Sequence, residues 1–442
     1  MVAAAVSSLE CSLTNEAVVV KSAADMTHQA NPTALLAGDS LRAAWALFWP
    51  SRAAIACIAV FAALSFGPAQ GGLAETNARK FDEPALTHPL GGAGDLALAP
   101  LARWDAVWYL RIADSGYGER ERAAFFPLYP LLVRAVGALG GGSPGARLIA
   151  AYAISLAAFL AALVLLHRLT VLELGRPLAG PTLLLLAAFP AALYFGAPYS
   201  ESLFLLVSVG AFYAARTGRW AWAGAALAAA TATRSAGILL LVPLAFLWWD
   251  QERLRRRPGQ AGWLALAFAG IGGYALYLGL AEGDALAFLD TQDAWFREFS
   301  VPLGGVWDGL VAAFEGARQL LSGSREPVFF DEAGGDPFRI AALNLMLLAF
   351  LVFAIAAAAG VWRRLPAAYG AWVTVALLLP LSFPVGPQPL MSLPRFLAVL
   401  FPIFMWLALV CEERGLTTRV AAVSAAGLGL FTAQFASWHW IS

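Results

Sequence analysis

Long apolar runs that recur along almost the whole chain constrain its fold more than any other feature. A helix needs about 20 apolar residues to cross a bilayer, and within lipid it satisfies its backbone hydrogen bonds internally. The chain is 60% hydrophobic and only 13% charged, far more apolar than a water-soluble domain. We therefore predict an all-α polytopic membrane protein with about 11 transmembrane helices. The runs lie near 43–67, 147–166, 179–195, 199–215, 220–232, 236–249, 261–281, 339–361, 366–383, 396–411 and 420–437.

The arginines predict the orientation of these spans. Residues 1–42 lack a sustained apolar run, so we expect a disordered cytoplasmic tail before one membrane domain over 43–442. With the tail inside, only Arg234 and Arg395 fall in short outer turns, and twelve arginines fall in cytoplasmic turns, as the positive-inside rule requires. The twelve are Arg168, Arg176, Arg216, Arg219, Arg253, Arg255, Arg256, Arg257, Arg363, Arg364, Arg414 and Arg419.

One stretch allows two interpretations. Residues 220–249 form either a single tilted helix or two short helices hinged at "TATRSAG", residues 231–237. A single helix would place Arg219 and the arginines at 253–257 on opposite faces of the membrane, so we favour the hairpin.

Composition excludes several function classes. Formal net charge is zero, which argues against a basic nucleic-acid binder. The three cysteines and four histidines are scattered, so we predict no disulfide framework and no metal site. No phosphate-binding or dinucleotide-binding glycine motif occurs, and we predict no cofactor. The Arg-rich and Ala-rich composition suggests a multi-pass protein of a bacterial inner membrane.

Two long loops, about 68–146 and 282–338, fall on the outer side and contain most of the acidic residues. In the first, "RWDAVWYLRIA" has helical spacing, and its aromatic residues suit a helix lying in the membrane interface. After a turn at Gly116, "AFFPLYPLLVRAVGALG" predicts a second helix, interfacial or re-entrant, broken by Pro127 and Pro130. Asp105 then lies at the water–lipid boundary, where a functional role competes with helix capping or pairing to an arginine.

The other carboxylates considered for the site differ in how strongly the sequence supports them. Asp114, Glu119 and Glu121 belong to "DSGYGERER", which is typical of a solvated loop. Glu201, in "APYSESLF", must be paired, hydrated or functional at the end of a span, although an acid at a helix N-terminus with Ser200 as cap explains it equally well.

The two outer-turn arginines are well placed to hold an anionic head group such as a lipid phosphate. The alternative for Arg234 and Arg395 is snorkelling from a helix end. In the second outer loop, "FLDTQDAWFREFS" combines aromatic rings with amide and carboxylate groups. Such a set suits sugar hydroxyls, and it also suits an ordinary amphipathic helix, so spacing does not decide between them.

At these residues the chain resembles the PIG-V family of mannosyltransferases, whose eukaryotic members add the second mannose during GPI-anchor assembly. The bacterial-type members also resemble it at Gln292 and Trp295. The similarity runs in order from about residue 100 to about residue 400. The segments concerned are "RWDAVWYLRIADSGY", "AFFPLYPL", "YSESLF", "ATATRSAGIL" and "PRFL".

The resemblance implies a GT-C-type glycosyltransferase with horizontal helices in its first outer loop and its active site on the non-cytoplasmic face. It implies a polyprenyl-phosphate sugar donor, mannose being the expected sugar, and it maps the catalytic carboxylate to Asp105. The expected partners are this donor, a lipid or glycan acceptor and membrane lipids. Bacteria make no GPI anchors, so the eukaryotic acceptor is not carried over.

The predicted site follows from these two lines of argument. Asp105 is the general base, Arg234 and Arg395 hold the donor phosphate, and no metal is needed. The alternatives are a GT-C enzyme for another sugar, such as glucose or arabinose, and a transporter or flippase for a lipid-linked sugar. A transporter is expected to show repeats and mid-membrane polar residues, which we do not observe. The predicted substrate-binding residues are Trp104, Tyr109, Glu201, Gln292 and Trp295.

Overall fold

A computed structural model describes residues 32–66, 72–255, 258–291, 297–329 and 336–441. Within these ranges the chain forms α-helices and short 3-10 helices and no β-strand, which confirms the all-α class. Residues 43–442 form one compact unit. Residues 1–31 of the predicted tail lie outside the described residues.

The helices follow one another with short connections. In chain order they are α1 (Pro32–Phe66), α2 (Gly72–Phe81), α3 (Pro84–Thr87), α4 (Gly92–Leu98), α5 (Asp105–Ser115), α6 (Leu128–Leu139), α7 (Pro144–Leu174), α8 (Arg176–Ala188), α9 (Glu201–Arg216), α10 (Trp220–Thr233), α11 (Leu241–Arg255), α12 (Ala267–Ala281), α13 (Ala287–Asp290), α14 (Gly304–Ser322), α15 (Pro337–Arg364), α16 (Ala367–Leu381), α17 (Leu393–Ala398), α18 (Phe401–Glu413) and α19 (Thr417–Ala436). The 3-10 helices are Ala99–Leu101, Arg120–Ala124, Pro190–Phe195, Ser235–Leu240 and Pro258–Leu266.

Each predicted apolar run contains helix. Two of the runs are divided near a proline. In the first, α8 ends at Ala188, just before Pro190. In the second, a short break separates α17 from α18, and Pro402 lies in the first turn of α18. The helices in these two runs are therefore shorter than the runs themselves. Among the described residues, five helical stretches are long and apolar enough to cross a membrane, and the protein is a multi-pass integral membrane protein. The five are Gly38–Phe66, Pro144–Leu174, Gly259–Ala281, Pro337–Arg364 and Thr417–Ala436.

The stretch 220–249 is a hairpin, as predicted. Helix α10 ends at Thr233, and Arg234 is extended (φ −156°) before the chain turns into the 3-10 helix at Ser235. Trp222, near the start of the first arm, and Trp263, in the 3-10 helix that follows the second arm, line one cavity. The start of the first arm therefore lies beside the segment that follows the second arm.

The first outer loop contains the two predicted helices, α5 and α6. Between them, Gly116 has φ +82°, a conformation that glycine adopts without strain. Pro130 does not break the second helix as predicted. It occupies the first turn of α6, where a backbone N–H has no partner within the helix and a proline costs little.

The second outer loop is tied to the end of a span. The backbone N–H of Ser300 donates to the carbonyl of Ser382 (3.1 Å), and that of Leu303 donates to the Ser382 hydroxyl (3.2 Å). Ser382 directly follows α16. This attachment brings Arg297, three residues before Ser300, towards the segment that leads into α17.

Candidate active site

Asp105 is the first residue of α5, at the boundary between the loop and the helix. Its Oδ2 accepts a hydrogen bond of 2.5 Å from the Nη1 of Arg395 in α17. The Asp105 side chain keeps 19% of its surface exposed, whereas that of Arg395 keeps 5%. Of the two ordinary roles considered for this carboxylate, Asp105 has the pairing with an arginine, and no side chain among the described residues caps the start of α5. It also keeps access to solvent.

Glu201 begins α9 and is completely buried (0% exposed). Its Oε1 accepts from the Nε of Arg395 and from the Nη1 of Arg234 at 2.9 Å. Its Oε2 is also buried and has no hydrogen-bond partner among the described residues. A buried carboxylate without a cation would be very costly, so the two arginines explain why Glu201 is tolerated here.

These contacts join four charged side chains, which we call the charge network: Asp105, Glu201, Arg234 and Arg395. Arg395 is its centre because it contacts both carboxylates. The rings of Tyr194 and Tyr199 lie 5.2 and 4.8 Å from its guanidinium carbon, within the range of a cation–π interaction. The network joins Asp105, which the sequence placed in the first outer loop, to residues that it placed at the outer ends of different spans.

Tyr109, predicted to contact substrate, is buried next to the charge network. Its hydroxyl hydrogen-bonds Ser200 Oγ at 2.7 Å, and its ring is buried (4% exposed). Burial raises the pKa of Tyr109 to about 12, so the phenol is neutral. Because Ser200 directly precedes Glu201, this bond ties α5 to the start of α9. The Ser200 hydroxyl makes this contact and does not cap the helix.

Trp104 is also buried (6% exposed). Its ring packs against Phe81, Trp438 and Trp440, with centroid distances of 5.3, 5.6 and 4.9 Å. No face of this ring is open to a ligand of the charge network. Gln292 and Trp295, the other predicted substrate contacts, lie outside the described residues.

Arg297 belongs to the site although sequence reasoning did not select it. It interacts electrostatically with Asp105, Arg395 and Arg234. Its Nη2 lies 3.5 Å from the carbonyl oxygen of Met391, and within the described ranges it forms no ion pair with a carboxylate. Burial, and then the neighbouring Arg395, lower the pKa of Arg297 to about 10, which leaves it charged at neutral pH. In the sequence, the feature that could have indicated Arg297 as a site residue is its position in the aromatic and polar stretch 288–300.

Two other carboxylates of the first loop form ion pairs with arginines outside the charge network. Asp114 contacts Arg147, and Glu119 contacts Arg122 at 3.0 Å. Within the described part of the chain, no group of three or more His, Cys, Asp or Glu side chains is arranged to hold a metal ion. Of the four carboxylates between residues 103 and 130, only Asp105 joins the charge network.

The fold and this site define a class: an all-helical, multi-pass membrane protein with a charge network built where several shorter helices begin or end. Residues 75–250 match the family described as Mannosyltransferase (PIG-V). The match includes Asp105, Glu201 and Arg234. Arg297 and Arg395 lie beyond it.

The relatives found by sequence agree with this family. The chain is 30% identical over 244 residues to GPI mannosyltransferase 2 of Chaetomium globosum, covering 46% of this chain and 50% of the relative. It is 35% identical over 190 residues to GPI alpha-1,6-mannosyltransferase 2 of Mus musculus, covering 40% and 37%. The chain thus spans about half or less of the length of the curated relatives it matches.

Solved structures give a more distant likeness. The archaeal oligosaccharyltransferase AglB from Archaeoglobus fulgidus, in complex with an inhibitory peptide and a dolichol-phosphate, matches 87% of this chain and 55% of its own. Its sequence identity is 14% and its TM-score 0.41. An oligosaccharyltransferase from the same organism, in complex with Zn and sulfate, matches 72% of this chain and 45% of its own with a TM-score of 0.38.

Proposed function

We propose that the chain is a membrane glycosyltransferase that moves mannose from a polyprenyl-phosphate donor to a hydroxyl of a lipid or glycan acceptor. The observation that carries the proposal is the charge network, in which a partly exposed carboxylate lies beside cations at one end of the bundle. The family match over residues 75–250 supports glycosyl transfer, with mannose as the sugar.

The proposed reaction is a single inverting displacement. Asp105 accepts the proton of the acceptor hydroxyl while that oxygen forms a bond to C1 of the sugar. The bond between C1 and the phosphate oxygen breaks, and the polyprenyl phosphate leaves with the electron pair. Charge develops on the leaving phosphate, so nearby guanidinium groups stabilise the transition state more than the ground state.

Three arginines are available to the phosphate, and their contacts give them different roles. Arg234 and Arg395 are already paired with Glu201. Arg297 forms no ion pair within the described ranges. A phosphate can therefore bind Arg297 without breaking an ion pair with a carboxylate. Arg395 spans Asp105 and Glu201. A phosphate that draws it away from Asp105 therefore leaves this carboxylate free to act as the base.

The buried residues of the predicted site take supporting roles in this proposal. Glu201 holds Arg234 and Arg395 in place, and Tyr109 fixes α5 against α9 through Ser200. Trp104 supports the backbone in front of Asp105. Gln292 and Trp295 stay proposed contacts of the sugar, on the family resemblance alone.

The proposed reaction takes place on the non-cytoplasmic face. Arg234, Arg395 and Asp105 all belong to turns or loops that the arginine distribution assigns to that face, and they meet at one end of the bundle. A cysteine replacing exposed Asp290 should react with a membrane-impermeant reagent added from outside, whereas one replacing exposed Arg414 should not. Labelling of position 290 from the cytoplasm alone would reverse the assigned face.

The decisive assay supplies the purified protein with radiolabelled polyprenyl-phosphate mannose and host membranes and follows label into a new product. Asp105→Asn should abolish transfer. Asp114→Asn is the matched control, because it lies on the same helix and is paired with Arg147 outside the network. Equal activity of the Asp105 variant and the wild type would falsify the role of Asp105. Label transferred from polyprenyl-phosphate glucose or arabinose and not from mannose would redirect the proposal to another sugar.

A further inference from the structure

The residue before Asp105 has an unusual backbone. Trp104 has φ +60° and ψ −120°, a region that favours glycine and is uncommon for a bulky side chain. Such a conformation is strained and persists only where the surroundings hold it. Because Trp104 leads directly into α5, its backbone sets the direction in which Asp105 leaves the loop.

The surroundings that hold Trp104 come mainly from a distant part of the chain. Residues 438–441, which follow α19 and which we call the post-span segment, contribute two of the three rings around it. Trp440 approaches edge-on at 4.9 Å and Trp438 at 5.6 Å. Edge-to-face aromatic pairs are stabilising beyond their buried area. The two pairs therefore oppose relaxation of the Trp104 backbone.

The post-span segment is itself anchored to several elements. Asn77 of α2 donates to the carbonyl of Trp438 at 3.3 Å, and Arg339 of α15 donates to that of Trp440 at 3.4 Å. The side chains of Trp438 and Ile441 are buried, at 5% and 1% exposure. The segment is therefore a packed part of the compact unit, able to resist movement of Trp104.

A second contact ties the segment to the residue before Trp104. The Arg103 guanidinium lies over the Trp438 ring, 4.6 Å from its centroid. The Arg103 carbonyl accepts a hydrogen bond of 2.8 Å from the hydroxyl of Tyr199, whose ring also faces Arg395. The same packing thus connects the post-span segment, the loop before Asp105 and the charge network.

We propose that Trp438 and Trp440 are positioning residues, which hold Trp104 in its positive-φ conformation and so fix the Asp105 carboxylate beside Arg395. The inference rests on the proposed function of Asp105 and goes beyond it, since both tryptophans lie outside residues 75–250 that match the family. It assigns these side chains to the transfer step and gives them no contact with substrate.

The test measures kcat and the donor KM for Trp438→Ala, Trp440→Ala, Trp440→Phe and a chain ending at Ser437. Displacing a catalytic group by about 1 Å can cost up to about a hundredfold in rate. We expect kcat to fall about tenfold or more in both alanine variants and in the shortened chain, at an unchanged donor KM. Trp440→Phe keeps an aromatic edge and should retain most of the activity. Trp222→Ala, at a tryptophan that is 71% exposed, should match the wild type.

Rates are expressed per folded molecule, from the monodisperse fraction in size-exclusion chromatography, so that a loss of folded protein does not count as a loss of kcat. An unchanged kcat in both alanine variants overturns the proposal, as does a Trp440→Phe variant no more active than Trp440→Ala. The proposed function fails separately, if the wild type transfers no sugar or if Asp105→Asn transfers it normally.

Discussion

Helix α9 has an ion pair at each end, each with a buried carboxylate group, and the two carboxylates differ in how completely their oxygens are hydrogen-bonded. At its C-terminal end, Arg216 binds Glu173 of α7 through both Nε and Nη2, and so engages both carboxylate oxygens. At its N-terminal end, Glu201 receives two arginines on one oxygen and leaves the other without a partner among the described residues. The Glu173 side chain is 3% exposed and that of Glu201 is 0% exposed, so burial does not distinguish them.

The difference lies in what remains available to a ligand. The Glu173–Arg216 pair is closed: one bidentate contact uses both carboxylate oxygens, which suits a connection between helices. The charge network is open, because Arg395 extends from Glu201 to Asp105, a carboxylate with solvent access. Two buried carboxylates of similar chemistry thus have different roles, which their partners determine.

The largest expected effect is on Asp105. Replacing it with Asn removes the proposed base and should lower kcat by a factor of about 100 to 10,000, the usual contribution of general base catalysis. Thermal unfolding should change less than in a Glu201 variant, because Asp105 is partly exposed and Arg395 keeps its contact with Glu201. Glu173→Gln, at the closed pair, should leave kcat per folded molecule near that of the wild type. A comparable loss of kcat at both positions would remove the distinction between the ends of α9.

Glu201→Gln should affect both activity and stability. Breaking a buried ion pair from one side costs about 3–5 kcal/mol, since the remaining charges stay buried without compensation. In this variant Arg234 and Arg395 would be left without the Glu201 charge, so the Asp105 contact should shift as well. Thermal unfolding and sugar transfer measured together check this. Glu173→Gln should lower the thermal stability as Glu201→Gln does, but it should leave kcat per folded molecule near that of the wild type. Normal transfer by Glu201→Gln would mean that the network does not need its central carboxylate.

A smaller, more selective effect is expected at Arg297. A hydrogen bond to a charged group contributes about 1.5–3 kcal/mol, so Arg297→Gln should raise the donor KM about tenfold or more with little change in thermal unfolding. Arg318→Gln is the matched control: it is an exposed arginine of α14, stacked 4.1 Å from the Phe329 ring centroid. Its donor KM should be that of the wild type. If Arg297→Gln binds donor normally while Arg234→Gln and Arg395→Gln do not, the phosphate contacts Arg234 and Arg395 instead.

The smallest expected effect concerns pH and the post-span segment. Burial, Arg339 of α15 and Arg103 before α5 lower the pKa of His439 below its usual 6.5, although the bond to the Ser437 backbone opposes them. A lowered folded-state pKa means that the packed segment prefers neutral His439. Its contribution is present above about pH 6.5 and is lost as pH falls below that value. Between pH 7.5 and 5.5, kcat should therefore fall slightly further in the wild type than in His439→Gln. Superimposable profiles of the two would show that His439 does not affect the docking of the segment.

Much of the fold follows from local chemistry. A run of apolar residues forms a helix in lipid wherever it occurs, because backbone groups have no other partner there. This is why the predicted runs coincide with helices, why the chain breaks at Arg234, and why "RWDAVWYLRIA" forms α5. The exception at Pro130 is also local, since a proline is tolerated in the first turn of a helix and not in its interior.

The candidate site followed from the sequence only in part. Hydropathy and the arginine bias assigned Asp105, Arg234 and Arg395 to the outer side, and the family resemblance connected them with sugar transfer. Neither showed that Arg395 lies between Asp105 and Glu201. Neither separated Trp104, which packs inside the protein, from a ring that could face a sugar, because an aromatic residue near a carboxylate has the same pattern in both cases.

The sequence by itself determined the membrane class, the hairpin at 220–249, the two helices of the first outer loop and the residues from which a site could be built. Tertiary structure alone decided that Asp105 and Arg395, which are 290 positions apart, form one contact. It also decided that Glu201 is buried between two arginines, that Arg297 approaches them, and that Trp438 and Trp440 enclose Trp104. The physical reason is that periodicity and charge bias report on each segment and its solvent, whereas these contacts depend on how the helices pack against one another.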